Sequence, residues 1–206
     1  MRDLLAPTPF EYVEDRFIVS VSDFGNSSRG AFLDASIIVP VRYGDLLGGH
    51  YLFEYESRDS SIAGGRELWG YPKKYAKMVA EFDGDVMHGF AFRNDKTLIT
   101  LEVSVDHSLK ELASPPLYPN LLYRVFPAPD GPGTSLRQIL ARDTSPDYKL
   151  KSKVFGRARV TLRGLPTDPL DKMQPIEVLG GGLMVGDFAA TLENGWAKII
   201  DTLDNF

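Results

Sequence analysis

The chain contains no cysteine. That excludes a disulfide framework, a thiolate metal site and a cysteine nucleophile, and it fits a reducing compartment. Histidine is scarce: His50, His88 and His107 lie far apart and lack the spacing of a zinc site, so no metal centre is expected. No window approaches the roughly 18 uninterrupted apolar residues of a membrane span. The opening Met-Arg-Asp-Leu-Leu-Ala-Pro-Thr-Pro has prolines where a signal peptide would need a long apolar stretch. The expectation is a soluble cytoplasmic protein with no membrane partner. Lysine and arginine form no basic run and the formal net charge is -5, which argues against nucleic acid as a partner. Internal repeats, low-complexity tracts and long linkers are also lacking; residues 127–133, rich in proline and glycine, read as a loop.

What is present suits one folded domain. The 206 residues are 43% hydrophobic and 11% aromatic, enough to bury a sizeable core. Residues 2–7 suggest a short opening helix. Strand candidates are 16–22, 31–43, 51–56, 77–82, 86–93, 97–105, 121–126, 152–162 and 177–192, short runs bounded by Gly, Pro, Asp and Asn. Along 51–56 the period of two places Tyr51, Phe53 and Tyr55 on one face and Leu52 with Glu54 on the other. Residues 194–203 space Trp196, Ile199, Ile200 and Leu203 as a helical stripe. The expected class is mainly β (α+β): an antiparallel sheet that curls or closes into a barrel, with a few helices including a C-terminal one. Gly180, Gly181, Gly182 and Gly186 lack the spacing of a phosphate or dinucleotide loop, and close strand packing explains them.

Residues 64–74, Gly-Gly-Arg-Glu-Leu-Trp-Gly-Tyr-Pro-Lys-Lys, deliver two lysines behind an aromatic lip. A lysine that attacks a carbonyl must be neutral. From an ordinary pKa near 10.4, only about one amine in 2,500 is neutral at pH 7, and reaching about 6 takes roughly 6 kcal/mol. Neighbours on an extended chain point to opposite faces, so Lys73 and Lys74 would repel by only about 2 kcal/mol across roughly 9 Å at an effective dielectric near 20. Burial, which lowers lysines by about three to five units, is therefore expected to do most of the work.

Gly65-Arg66-Glu67-Leu68, then Gly70-Tyr71-Pro72-Lys73-Lys74, resembles the signature of the acetoacetate decarboxylase family, and the likeness continues through Pro119-Asn120-Leu121 and Asp130-Gly131. The resemblance implies one acetoacetate decarboxylase-like domain over 1–206, beginning after an N-terminal segment usual in the family that carries an active-site arginine. It implies Lys73 as the Schiff-base amine and Lys74 as its companion. Activation by desolvation or a neighbouring cation is established chemistry for that family. A family glutamate on the early strand falls near residues 17–19, where no acid stands, and a second falls at Asp34. The implied substrate is a small β-keto acid, decarboxylated with no cofactor because the lysine is the electron sink; homo-oligomers are usual in the family. Aldol condensation with dehydration of a pyruvate-like substrate is an alternative outcome, with Glu54 as acid or base, and a non-catalytic binding barrel is another. Trp69, Tyr71, Phe53 and Tyr55 are candidates for the pocket wall. Arg29 and Arg42 are candidates for pairing with a substrate carboxylate, and Arg66 with Glu67 reads as a structural ion pair.

Overall fold

The computed structural model describes residues 1–28, 30–191 and 193–204. Runs rich in β-branched and aromatic residues, cut by glycine, proline and aspartate, form strands β1 (Glu11–Tyr12), β2 (Ile18–Asp23), β3 (Leu33–Tyr43), β4 (Leu46–Glu56), β5 (Lys73–Tyr75), β6 (Lys77–Asp83), β7 (Val86–Arg93), β8 (Lys96–Val105), β9 (Asn120–Pro127), β10 (Thr134–Arg142), β11 (Lys149–Leu162), β12 (Gly181–Asp187) and β13 (Lys198–Thr202). Helix is confined to short pieces, including α1 (Arg2–Leu5) and α2 (Asp59–Gly64), the latter running into a π-helical turn at Gly65–Trp69. Among the described residues no helix is long and apolar enough to cross a membrane.

The strands make two sheets. One runs β1-β3-β4-β9-β10-β13, with β2 also on β3 and β5 also on β4; the other runs β12-β11-β8-β7-β6. Pairing is antiparallel except where β5 and β9 lie parallel to β4. β2 and β3 pack across β6, and β2 also meets β8. The core between them holds Ala35, Ile37, Val39 and Val41 of β3 with Leu98, Ile99, Leu121, Ile139 and Leu162. This is the mainly β, curled architecture that the strand pattern predicts.

Three expectations need correction. The helical stripe expected over 194–203 is β13, paired with β10 through Gln138↔Thr202 and Ala141↔Lys198. The open edge of β10 offers backbone partners along its length, whereas so short a helix would form too few hydrogen bonds to offset its nucleation. Trp196, Ile199 and Ile200 consequently stay exposed. The strand expected over 177–192 contracts to β12, and its end at Leu192 lies outside the described residues. The alternation on β4 is broken as well. Ile37 faces Phe53 but Ile38 faces Tyr51, so Leu52 is the extra residue of a β-bulge. Leu52 and Phe53 both pack against the core, and Tyr51 changes sides.

Candidate active site

Lys73 and Lys74 are the first residues of β5, and their placement follows from its register. Glu54 pairs with Lys73, and Tyr55 with Lys74. Since successive side chains point to opposite faces of a strand, the two lysines part company. Lys74 follows Tyr55 into the wall: its Nζ donates to Asp168 Oδ1 at 2.8 Å and to the Thr167 carbonyl at 2.7 Å, while the Tyr55 hydroxyl donates to the same Asp168 oxygen at 2.9 Å. Asp168 is fully buried; burial alone would raise its pKa, but the hydrogen bonds from Lys74, Thr167 and Tyr55 prevail and hold it below the usual carboxylate range.

Lys73 turns the other way, with a side chain 12% exposed. Its Nζ touches a Glu56 oxygen, and lies 3.2 Å from Glu54 Oε1 and 3.9 Å from Asp34 Oδ2. Asp34 comes from β3, where it pairs with Glu56. Oxygens of the three acids lie within 4.8 Å of one another. That oxygen-only set has the character of a divalent-cation site, and the Lys73 ammonium supplies a counter-charge at its centre. Two carboxylates at 4.8 Å repel by roughly 3 kcal/mol at an effective dielectric near 20. The pocket therefore resists full ionisation. Burial pushes Asp34 up to about 6 and Glu54 well above the usual carboxylate range, with Lys73 opposing both shifts. For Lys73 the largest single influence is burial, which lowers its pKa, yet Glu54, Asp34 and Glu56 together outweigh it and the net direction is upward. The expectation that burial would discharge this amine is corrected accordingly: burial acts in the expected sense, but three carboxylates overrule it.

The turn before β5 seats the amine. Gly70 adopts φ +77°, where a side chain is strained, and a Cβ there would stand 2.6 Å from the Arg124 backbone. Gly65, in the π-helical turn, leaves room for the Lys73 stem: a Cβ would lie 2.5 Å from its Cδ. Arg66 Nη1 donates to the Lys73 carbonyl at 3.3 Å, and among the described residues it forms no ion pair with Glu67. Arg66 thus fixes the turn through the backbone instead.

Of the aromatic candidates, Tyr71 comes nearest, its ring centroid 5.3 Å from Lys73 Nζ. Its hydroxyl donates to Asn120 Oδ1 at 2.8 Å and accepts from Arg142 Nη1 at 3.3 Å. Burial pushes it up to about 12. Trp69 stands behind it, edge-on to Tyr71 and stacked under the Arg142 guanidinium at 4.3 Å. Phe53 and Tyr55 belong to the core and leave the wall to Tyr51, brought round by the bulge at Leu52 to meet Tyr71 at 5.1 Å. Arg42 is exposed on β3, eight residues from Asp34 or about 26 Å at strand rise, and is not part of the cluster. Arg29 lies outside the described residues. The structure thus gathers Lys73, Asp34, Glu54 and Tyr71 and sets Lys74, Trp69 and Arg42 apart. Glu56, Tyr51 and Arg142 join the site without having been singled out in the sequence. Glu56 could have been found, because it shares the parity of Glu54.

A family model described as acetoacetate decarboxylase (ADC) matches residues 1–197. The acetoacetate decarboxylase of Burkholderia cenocepacia strain J2315 is 28% identical over 196 residues, which cover 91% of this chain and 77% of that protein. Among solved structures, the acetoacetate decarboxylase of Legionella pneumophila superposes with a TM-score of 0.85 at 20% identity, covering 98% of this chain and 81% of its own. The enduracididine biosynthesis enzyme MppR, complexed with the condensation product of pyruvate and imidazole 4-carboxaldehyde, shares the fold at a TM-score of 0.61 and 17% identity, over 79% of this chain and 68% of its own.

Proposed function

The chain belongs to the acetoacetate decarboxylase family, and we propose that within it Lys73 forms a Schiff base with acetoacetate or a related β-keto acid, which then loses carbon dioxide to leave a ketone. The neutral amine adds to the ketone carbon and water departs, giving an iminium. The bond to the carboxylate breaks, its electron pair flows into the iminium, and an enamine forms. Protonation of the enamine carbon and hydrolysis release the ketone and free Lys73. The observation that carries this reading is the placement of one lysine of a matched Gly-Tyr-Pro-Lys-Lys turn in a buried pocket, its partner lysine being held elsewhere by Asp168. Asp34 and Glu56 also favour the cationic iminium over a neutral adduct, because they lie beside the nitrogen that carries its charge.

A second outcome is favoured by Glu54. Enamine chemistry that builds a bond, as in condensation of pyruvate with an aldehyde followed by dehydration, needs a group to carry protons to and from substrate carbon, and Glu54 lies 3.2 Å from the reacting nitrogen. The two outcomes separate in one experiment. Carbon dioxide release from acetoacetate, lost in Lys73→Ala, supports the decarboxylase; an unsaturated condensation product from pyruvate and an aldehyde, without carbon dioxide, supports the second. Tight binding of either substrate without turnover would overturn both in favour of a binding barrel.

A further inference from the structure

A Schiff base at Lys73 requires the amine to lose a proton, and three neighbouring carboxylates oppose that loss by stabilising the ammonium. The same carboxylates are the nearest groups able to take the proton. Their positions differ. Glu56 touches Nζ, has a side chain only 1% exposed, and stands opposite Asp34 in the strand register. Glu54 lies farther from Nζ, and its charge is felt by both Tyr51 and Tyr71, the rings that form the wall beside the amine. Each glutamate has one buried oxygen, Oε2, without a hydrogen-bond partner. Asp34 at 3.9 Å, the Tyr71 ring at 5.3 Å and Arg66 at the Lys73 carbonyl also lie around the amine, with Arg142 beyond Tyr71.

We propose that Glu54 and Glu56 divide the proton traffic of this site: Glu56 discharges Lys73, and Glu54 exchanges a proton with the substrate carbon. The division rests on the Schiff-base reading and specifies it. Glu56 as carboxylate accepts one proton from the ammonium, leaving a neutral amine and a carboxylic acid. After the amine adds to the carbonyl and the nitrogen passes a proton to oxygen, the Glu56 acid protonates the hydroxyl, water leaves, and Glu56 is a carboxylate again beside the iminium. Glu54 removes a proton from the carbon next to the iminium to make the enamine, or gives one to an enamine formed by decarboxylation. In the latter case it reloads from water. Raised affinity of Glu54 for its proton suits the donor role, since a carboxyl of ordinary strength would be empty at neutral pH.

Acetone, a neutral ketone, reads both steps whichever reaction the enzyme performs. Adduct formation is followed as borohydride-reducible label on Lys73, and carbon proton exchange as deuterium uptake into acetone in D2O, for wild type, Glu56→Gln, Glu54→Gln and the two Glu→Asp variants, with folding checked by circular dichroism. Glu56→Gln is expected to slow adduct formation at least tenfold at pH 7, with recovery as pH rises toward that at which the ammonium loses its proton unaided. Glu54→Gln is expected to keep adduct formation within about threefold of wild type and lose at least tenfold in deuterium uptake. Each Asp variant is expected to restore part of the corresponding rate. Wild-type adduct rates in Glu56→Gln across the pH range, or wild-type exchange in Glu54→Gln, would overturn the division alone. Absence of any adduct in wild type would instead overturn the Schiff-base reading, and the division with it.

Discussion

Replacing Gly65 with alanine tests whether the turn seats the amine. Gly65 has φ −63° and ψ −44°, ordinary helical values that alanine adopts readily, so the backbone gains about 0.5–1 kcal/mol from the change. The added methyl would stand 2.5 Å from Lys73 Cδ and 2.6 Å from Cε. Carbon atoms pack at roughly 3.5–4 Å, so the lysine stem must retreat by about 1 Å. A displacement of that size at a reacting group costs on the order of a hundredfold in rate, about 2.7 kcal/mol of barrier. Overpacking costs about 1–3 kcal/mol, partly offset by the backbone gain, so the variant should remain folded. Gly64→Ala is the control. Gly64 has nearly the same helical backbone, and a Cβ there meets nothing within 4 Å. Initial rates of substrate turnover and thermal denaturation of the two variants together give the answer. Full activity in Gly65→Ala, or equal loss in Gly64→Ala, would refute the claim that Gly65 holds Lys73 in place.

The remaining predictions concern charge and the second lysine. Asp34, raised to about 6 by burial from about 3.9 in the unfolded chain, binds its proton more tightly when folded; its unfavourable contribution is absent below about pH 4, grows through pH 6 and is complete above, at about 3 kcal/mol. His50, lowered to about 4 by burial, acts oppositely, destabilising the fold below about pH 4 and ceasing to do so above about 6.5. Chemical denaturation of wild type between pH 4 and 7 should therefore show these two contributions offsetting one another, and Asp34→Asn should become more stable relative to wild type by up to about 3 kcal/mol across that range; a difference independent of pH would contradict the burial of Asp34. Lys74→Ala should lower the melting temperature, losing about 1–3 kcal/mol as Asp168 gives up the Lys74 ammonium and the Thr167 carbonyl loses its donor, while Asp168 keeps Arg93 at 3.4 Å and labelling of Lys73 persists. Loss of Lys73 labelling in folded Lys74→Ala would show that the second lysine acts on the first after all.

Strands were readable where two conditions coincided, a β-branched or aromatic run and a clear turn at each end; Val86–Arg93 matches to the residue. β5 leaves no mark in the sequence because three residues after Gly-Tyr-Pro are too few to show a period, yet its register on β4 decides which lysine enters the pocket. The bulge at Leu52 escaped for a similar reason: an extra residue in a continuous apolar run leaves no mark on composition, but it exchanges Tyr51 for Phe53 at the wall. β13 is ambiguous in the sequence because Ile199 and Ile200 satisfy a helical stripe as well as a strand, and only the open edge of β10 decides between them. At the site, the turn points to Lys73 and the resemblance to Asp34, and the two lie in one pocket. The Glu56 contact depends on pairing between distant segments, and so does the net rise in the Lys73 pKa, where burial taken alone points in the opposite direction. Local sequence conveys what a residue is able to do; the count of charges around it is set by the sheet.

The most direct test of the account is covalent capture. Borohydride reduction in the presence of acetoacetate, and separately of pyruvate, followed by mass spectrometry of the peptide that contains residue 73, is predicted to give a reduced keto-acid or ketone adduct on Lys73 and none on Lys74. An adduct on another lysine, an undiminished adduct in Lys73→Ala, or no adduct with either substrate would contradict Lys73 as the Schiff-base amine.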